Sequence, residues 1–304
     1  MSSQTELRQR ITDEIVAALT AGGLPPWRRP WSGGPAFPTN AATGRRYSGA
    51  NVLLTELHRR RHGLASNLYA TFEQWRSLDC RVKARPDGVP AGRWGCGIVF
   101  CKPVPKNPKA DREAGDGDRT DGYLILKHFT VFSADQVEGP AADRLRQPGP
   151  TAGAVVDYGP AERAVAAAGS DIRYGGNRAV YVRPRAGDGD YIQMPDRTRF
   201  ADTKEFYATL LHELAGHWTE ARVGWAGSYA EGELRAEMAA AFAAAQLGVP
   251  QSDDLTNHQA YLASWLKAMA GDPQFVLKAA ADASKAVDYF LSLGCPATDT
   301  AEAA

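Results

Sequence analysis

The residues best suited to chemistry lie close together in the last third of the chain, within the segment ATLLHELAGHWTE. His212 and His217 are five positions apart, and Glu213 directly follows the first of them. Imidazole nitrogens are frequent zinc ligands, and a glutamate beside a ligand histidine is the general base of many metallohydrolases. A histidine–glutamate pair alone is usually surface charge, but here a second histidine and a downstream acidic pair accompany it. The segment therefore predicts a bound metal, with Glu213 as catalytic base.

The five-residue spacing of the histidines constrains the local backbone. On a regular α-helix, residues five apart diverge by about 140°, so both imidazoles could not face one ion. A π-type bulge repeats every five residues and would bring them onto one face. Gly216 lowers the cost of such a distortion because glycine is conformationally permissive. We therefore predict a bulge at Leu214–Gly216.

A third ligand is expected from GELRAE, where Glu233 and Glu237 lie four positions apart and so share one helix face. We assign Glu233 to the metal and Glu237 to a hydrogen bond with a ligand histidine. Water would fill the last position, and Glu213 would deprotonate it for attack on a carbonyl. Two histidines and a carboxylate suit several divalent ions, so zinc is the first choice and manganese or another stays open. The nearest candidates for stabilising an oxyanion are Tyr229, His258 and Tyr261.

Hydrophobic periodicity predicts the elements that must position these residues. Helical spacing indicates helices over residues 4–21, 51–62, 71–78, 159–168, 203–221, 229–247, 257–270 and 273–293. Alternation indicates strands within residues 95–104, 123–137, 171–174, 179–183 and 190–194. The polar run 107–122 is expected to form a mobile surface loop, and 138–153 an interdomain linker. The predicted fold class is α+β, a basic α/β domain followed by a domain with a small sheet and several helices.

Length and composition narrow the class of protein. The 304 residues favour two domains, and 44% hydrophobic content is ordinary for a globular chain. No apolar run approaches the roughly 20 residues that a membrane helix needs, and the N-terminus lacks the apolar core of a signal peptide. The four cysteines show no metal or disulfide spacing, which favours reduced thiols in the cytoplasm.

The net charge of zero hides an asymmetry between the two halves. Residues 1–110 hold 17 Lys/Arg and 7 Asp/Glu, a net +10; subtraction from the totals of 35 and 35 leaves 18 and 28, a net −10. Aromatic rings interleave with cations in WRRPW, GRRYSGAN and RWGCGIVFCK, a combination typical of single-stranded DNA binders. Alternatively, the tryptophans lie in the core and the arginines form a solvated face. The predicted DNA-binding residues are Trp27, Arg28, Arg29, Trp31, Arg45, Arg46, Tyr47, Asn51, Trp75, Arg93, Trp94 and Lys102.

The order of several motifs resembles that of the ArdC-type antirestriction family over nearly the whole chain. In the first half these motifs are PPWRRPW, NAATGRRYSGANVLL, LYATFEQW and HFTVFSADQVEG. In the second half they are RYGGNRAVY, DYIQMP, FYATLLHELAGHWTEA, YAEGELRAEMAAAF and NHQAYLASWLKAM. The commonest family motif has one residue fewer between its histidines. The form found here, HELAGH followed by ELRAE, is similar to the HExxGH motif of dipeptidyl peptidase III.

The resemblance implies a single-stranded-DNA-binding antirestriction domain over residues 1–140 and a zincin-like (gluzincin) metallopeptidase domain over 150–304. It implies protection of incoming plasmid DNA from host restriction during conjugation, and it supports Glu233 as a ligand. Two other functions stay open. One is an active metallopeptidase whose basic domain only docks a substrate, which no motif identifies. The other is a DNA-coating protein in which the metal is purely structural.

Overall fold

The computed structural model describes residues 4–21, 37–105, 122–145, 158–184, 188–200, 203–225, 227–250 and 256–294. Within them, ten α-helices are α1 (Gln4–Thr20), α2 (Ala50–His62), α3 (Phe72–Ser77), α4 (Pro140–Leu145), α5 (Gly159–Ala168), α6 (Thr203–Leu211), α7 (Thr219–Val223), α8 (Tyr229–Leu247), α9 (Thr256–Gly271) and α10 (Phe275–Ser292). The strands are β1 (Thr39–Asn40), β2 (Leu68–Thr71), β3 (Arg81–Val82), β4 (Cys96–Pro105), β5 (Gly122–Ser133), β6 (Val137–Glu138), β7 (Ile172–Tyr174), β8 (Val180–Val182) and β9 (Tyr191–Met194). The predicted surface loop at 107–121 lies outside the described residues.

The first sheet has the strand order β1-β2-β5-β4. Its long antiparallel pair runs from Cys96 opposite Val131 to Pro105 opposite Gly122, so β4 lies at the edge. Asn51 of α2 covers part of that edge: its amide donates to the Val99 carbonyl at 2.7 Å and accepts from the Val99 N–H at 2.9 Å. The side chain thus satisfies backbone groups that an edge strand would otherwise leave unpaired.

A smaller hydrophobic cluster lies where β2 leads into α3. Thr71 caps α3 in a capping box with Gln74, and Trp75 is fully buried at its centre. The short pair β3–β6 and helix α4 complete this cluster through Val137, Ala141 and Ala142. The expectation of a linker over 138–153 is therefore wrong for residues 138–145, because their small apolar side chains pack into the core. Residues 146–153 lie outside the described part.

The second half holds a three-stranded sheet of order β7-β9-β8 and the helices α5 to α10. Helix α8 is buried along most of its length, because alanines over 239–245 let neighbouring helices approach closely on several sides. Strand β8 is an edge strand of its sheet and lies next to the segment His212–Trp218. This sheet-and-helix arrangement confirms the predicted α+β class.

Both halves of the sequence contribute to one main hydrophobic core. Ile15 of α1 and Leu53 of α2 belong to the same buried cluster as Val287 of α10. Polar contacts join the halves as well: the Gly49 N–H donates to Ser284 Oγ at 2.8 Å, and Thr12 Oγ1 donates to the Pro273 carbonyl at 2.7 Å. The predicted limits of the domains, 1–140 and 150–304, stay a prediction.

Candidate metal centre

The segment His212–Trp218 is a π-helix inserted between α6 and α7. The bulge predicted at Leu214–Gly216 is thereby confirmed. The rings of His212 and His217 lie 4.9 Å apart, centroid to centroid, on the same side of the helix. Thr219 Oγ1 donates to the Leu214 carbonyl at 3.0 Å, so a carbonyl within the irregular turn keeps a donor.

Gly216 allows the π-helix to lie directly against α8. An added Cβ at Gly216 would lie 2.5 Å from the Cβ of Ala236 and 2.6 Å from its Cα. Glycine is therefore needed here for close approach of two backbones, a stronger reason than the conformational freedom invoked from sequence. The contact places Glu233 and Glu237 of α8 beside the two histidines.

The three predicted ligands come together. Glu233 Oε2 lies 3.5 Å from His212 Nε2, and Glu233 Oε1 lies 3.7 Å from His217 Nε2. One donor atom from each of the three residues lies within 4.8 Å of the others. Donors bound tetrahedrally at about 2.0–2.1 Å are roughly 3.3 Å apart, so a small inward movement would fit a single ion.

The second nitrogen of each imidazole faces another carboxylate. Glu237 Oε2 lies 3.7 Å from His212 Nδ1, where the sequence placed it, and Glu220 Oε2 lies 3.8 Å from His217 Nδ1. Glu220 is also ion-paired with the buried guanidinium of Arg235. Sequence reasoning missed Glu220, although its position three residues after His217 on a helix was a usable signal.

The centre carries an excess of buried negative charge. Four glutamates (Glu213, Glu220, Glu233 and Glu237) are each 6–7% exposed, and the guanidinium of Arg235 is 4% exposed, which gives −4 + 1 = −3 before the two imidazoles are counted. Burial opposes protonation of His212, but the carboxylates of Glu233 and Glu237 beside its two ring nitrogens outweigh burial and raise its pKa to about 10. Burial would also raise the pKa of Glu233, yet the hydrogen bond with His212 holds it below its usual range. The surroundings thus favour a cation.

A cavity of about 530 Å³ opens beside the cluster, and β8 forms one of its walls. Glu213 lines it next to His212, and its Oε2 accepts a hydrogen bond from the Tyr181 N–H of β8 at 2.8 Å. Across the cavity the hydroxyls of Tyr229 and Tyr261 are 3.0 Å apart. Two of the three proposed oxyanion donors therefore line this cavity, and the side chain of His258 lies outside the described part.

The structure describes only some of the predicted DNA-binding residues. Trp27, Arg28, Arg29 and Trp31 lie outside the described residues, as does the side chain of Lys102. Arg45 is exposed, and the guanidinium of Arg46 donates to Gln246 Oε1. Both arginines come just after the turn that follows β1, and Arg46 forms an isolated antiparallel bridge with Thr39.

All five of the remaining predicted residues have structural contacts. The ring of Trp75 is fully buried and donates to the Phe132 carbonyl at 2.9 Å, so it cannot stack on a base and its assignment to DNA was wrong. Asn51 uses its amide on the edge of β4. Tyr47 is partly buried, its hydroxyl donates to the Tyr69 carbonyl at 3.2 Å, and burial raises its pKa to about 12.

Arg93 and Trp94 lie before β4, where the Arg93 Nη1 is 2.6 Å from Glu14 Oε1 and the Trp94 indole donates to the Lys83 carbonyl at 3.1 Å. The sequence missed two exposed rings on the β4–β5 pair, Phe100 at 57% and Phe129 at 42% exposure. Their register shows that they are diagonal neighbours on one face, since Ile98 is opposite Phe129 and Phe100 is opposite Lys127. Alternation alone did not tell an exposed ring from a buried one.

Two family models match this chain, one in each half. Residues 160–282 match the zincin-like metallopeptidase model, and residues 5–132 match the model of the N-terminal domain of anti-restriction factor ArdC. The fold and site thus define a protein with a zincin-like domain after an ArdC-type N-terminal domain. None of the helices in the described part has the length and apolarity needed to cross a bilayer.

Individual relatives agree with this class. Crystal structures of the antirestriction protein ArdC from plasmid R388, one metal-free and one Mn(II)-bound, are 31% identical, with TM-scores of 0.71 and 0.70. The matches cover 95% and 96% of this chain and 98% and 99% of those chains. The chain belongs to the ArdC-type antirestriction family.

Two curated relatives differ greatly in length. An uncharacterised protein of Sinorhizobium fredii, y4eC, is 32% identical over 94% of this chain and 91% of its own length. A DNA primase TraC of Escherichia coli is 32% identical over 93% of this chain but only 27% of the primase. The chain therefore spans about a quarter of that primase.

Proposed function

We propose that this antirestriction-family protein binds single-stranded DNA through its N-terminal half and one divalent metal ion through His212, His217 and Glu233. The work of the protein is to protect incoming plasmid DNA from host restriction during conjugation, in the cytoplasm of the cell that receives it. The two functions belong to the predicted domains, 1–140 and 150–304. Zinc is the first candidate for the ion.

The excess of buried carboxylates around two imidazoles carries the metal assignment. Burying several carboxylates close together is costly, and a divalent cation among Glu213, Glu233 and their neighbours offsets that cost. The distances of 3.5 and 3.7 Å between the imidazole nitrogens and the Glu233 oxygens are close to the separation of two ligand atoms bound to one ion. A Mn(II)-bound structure of a relative supports a divalent ion and leaves zinc as one of several choices.

Metal analysis of the purified protein tests this assignment. We expect about one equivalent of divalent metal in the wild type and its loss in His212→Ala. His62→Ala is the matched control, since His62 lies on α2 and bonds the Arg93 carbonyl at 3.0 Å. Equal metal content in the two variants would refute the assignment of the metal to these three residues.

The DNA assignment is supported by the ArdC-type N-terminal match and by aromatic rings presented beside cations. Phe100 and Phe129 are exposed on one face of β4–β5, and Lys127 is exposed directly opposite Phe100. Stacking on an aromatic ring contributes about 1–3 kcal/mol per base, and nearby cations attract the phosphates. This arrangement suits a sequence-tolerant single-strand binder.

A mobility-shift titration with matched single- and double-stranded oligonucleotides tests the proposal. We expect a single-strand preference at moderate salt, and about a tenfold weaker affinity for Phe100→Ala. Tyr289→Ala is the control, because Tyr289 on α10 is a partly exposed ring, at 36%, in the other half. If the wild type shows no preference for single-stranded DNA, the proposed DNA function is refuted.

Peptide hydrolysis is a second candidate, favoured by the place of Glu213. Its carboxylate lines the cavity beside His212, and the Tyr181 N–H fixes one of its oxygens. A bound divalent ion would supply Lewis-acid chemistry, polarising a carbonyl and making water more acidic. Glu213 would take a proton at its carboxylate, and the hydroxyl of Tyr229 or Tyr261 would donate toward the developing oxyanion.

Glu213→Gln separates hydrolysis from metal binding, because an amide oxygen still accepts from Tyr181 but cannot take the proton. We expect unchanged metal content and DNA affinity, with loss of any cleavage of labelled casein. A variant that keeps both cleavage and full plasmid protection would exclude Glu213 as the base. Plasmid protection that persists in a variant without cleavage would mean that DNA binding suffices.

A further inference from the structure

A second cavity, of about 280 Å³, lies in the N-terminal half, far along the sequence from the metal cluster. Helices α1 and α2 form one side of it, and residues 91–97 and strand β5 form the other. Its apolar lining comes from Ile11 and Leu54. Three arginines also line it, Arg10, Arg61 and Arg93.

The lining of this cationic cavity has a net positive charge. Its one carboxylate is Glu14, whose Oε1 lies 2.6 Å from Arg93 Nη1 and whose Oε2 lies 3.3 Å from Arg61 Nη2. Three guanidinium groups and one carboxylate give +3 − 1 = +2. Arg10 makes no ion pair with any residue of the described part. Within the described residues, the cavity thus holds more cationic groups than the carboxylates around it pair with.

Two histidines in the lining, His58 and His128, have lowered pKa values because of burial and nearby positive charges. Burial is the main cause that lowers the pKa of His58 to about 4; the hydrogen bond to the Trp94 carbonyl opposes it, and the charges of His62 and Arg61 act in the same direction as burial. Burial and then the charge of Arg10 lower the pKa of His128. Both imidazoles are therefore neutral near pH 7, and an N–H of His128 could donate to an anion without adding charge.

Glycines keep space for side chains on the wall of the cavity. An added Cβ at Gly97 would lie 2.5 Å from His128 Nε2, and one at Gly95 would lie 2.4 Å from Thr130 Cγ2. Without these side chains, His128 and Thr130 can lie across β4 within the lining. The wall therefore presents an imidazole and a hydroxyl beside the guanidinium groups.

We propose that the cationic cavity binds a phosphate group of a single-stranded DNA chain, with Arg10, Arg61 and Arg93 as its cationic contacts. The guanidinium fork matches phosphate oxygens and forms two parallel charge-assisted hydrogen bonds. A net +2 suits either a backbone phosphodiester or a doubly charged terminal phosphate. This inference rests on the proposed DNA function and adds to it a phosphate site that uses Arg10, Arg61 and His128.

Arg10→Gln tests the site, because Arg10 has no ion pair in the described part whose loss would disturb the fold. The probe is a labelled oligothymidylate with or without a 5′-phosphate, titrated by fluorescence anisotropy at several salt concentrations. We expect about tenfold weaker binding and a salt slope smaller by about 0.7. Arg76→Gln is the control, since Arg76 is exposed on α3, pairs with Glu73 and does not line the cavity; less than about twofold change is expected.

Glu14→Gln provides a test in the opposite direction. Removing the carboxylate that holds Arg61 and Arg93 should strengthen DNA binding by about threefold, because the phosphate no longer competes with it. If the arginines served only to join α1 to α2, this variant would lose stability without gaining affinity. Thermal unfolding of each variant, measured in parallel, separates these two results.

The outcomes separate a failure of the phosphate-site proposal from a failure of the proposed DNA binding as a whole. If the wild type binds single-stranded DNA but Arg10→Gln and Arg76→Gln bind it equally well, the phosphate site in the cavity is refuted. The proposed DNA function is then unaffected. Wild-type protein that shows no binding would overturn both. A preference for the 5′-phosphorylated probe that disappears in Arg10→Gln identifies a chain end, whereas equal weakening with both probes identifies backbone phosphate.

Discussion

Replacing Gly216 by alanine places a methyl group at the contact between the π-helix and α8. The new Cβ would start 2.5 Å from Ala236 Cβ and 2.6 Å from its Cα. Non-bonded carbons are normally about 3.5–4.0 Å apart, so the two segments must separate by roughly 1 Å. The backbone Cα cannot rotate away as a long side chain can. The substitution therefore acts on the relative position of two helices.

Both stability and metal binding should respond. Overpacking of this kind costs about 1–3 kcal/mol, and the gain of about 0.5–1 kcal/mol from alanine's helix propensity offsets only part of it. For a chain of this size, each kcal/mol lowers the Tm by roughly 2–4 °C. Because α8 carries Glu233, the separation also lengthens the contacts now at 3.5 and 3.7 Å to the two imidazoles. We expect at least about a tenfold weaker metal affinity.

Gly232→Ala on the same helix is the matched control. Its added Cβ would meet its nearest neighbour, Glu220 Oε2, at 3.6 Å, which is an ordinary contact. Calorimetric titration of the metal-stripped protein with zinc or manganese, together with thermal unfolding, measures both effects. Gly232→Ala should keep its metal affinity and gain stability. If Gly216→Ala matched it in both measurements, the close contact could not be what positions Glu233.

Other predictions follow from the N-terminal half and from the metal. Trp75→Ala should lower the free energy of unfolding by about 3–5 kcal/mol in urea, because the ring is fully buried. Asn51→Ala should cost about 1–3 kcal/mol, because the N–H and carbonyl of Val99 lose their partner. The pKa of His58 is about 4 when folded, against about 6.5 when unfolded, so the unfolded chain binds a proton first. Stability should therefore fall by about 3 kcal/mol as the pH drops from 6.5 to 4, and His58→Gln should reduce this loss. Metal removal with a chelator should lower the Tm, and added divalent ion should restore it.

Each of these has a result that would contradict it. Phe100→Ala is the comparison for Trp75→Ala. Equal loss of stability in the two variants would contradict the prediction that the buried ring of Trp75 stabilises the fold more than the exposed ring of Phe100. An Asn51→Ala variant as stable as the wild type would mean that water replaces the amide at the edge of β4. If the loss of stability at low pH is unchanged in His58→Gln, a group other than His58 is responsible for it. A chelator effect retained in His212→Ala would show that the ion binds outside the cluster.

Local sequence spacing was sufficient for much of the C-terminal site. The separation of His212 and His217 by five positions requires a π-turn if both bind one ion, and the structure has one. The four-residue step from Glu233 to Glu237 placed both carboxylates on one face of α8. These inferences succeeded because helical geometry relates residues that are near in sequence. The α+β class followed from periodicity for the same reason.

Contacts between distant segments could not be read in this way. Trp75 lies in a basic, aromatic half, and only the packing of β2, β6 and α4 around it makes it a core residue. The exposure of Phe100 and Phe129 could not be read from alternation, because Ile98 on the same face of the β4–β5 pair is buried. The linker expected at 138–153 failed because Ala141 and Ala142 pack into that small core.

The sequence by itself determined the metal-binding motif, the irregular helix that it requires and the basic character of the first half. Only the tertiary structure decided that Gly216 meets Ala236, that Glu220 and Arg235 lie behind His217, and that three arginines surround one cavity. The physical reason is that hydrogen-bond periodicity acts over a few residues along the chain. Burial and charge neighbours are set by side chains that can be hundreds of positions apart.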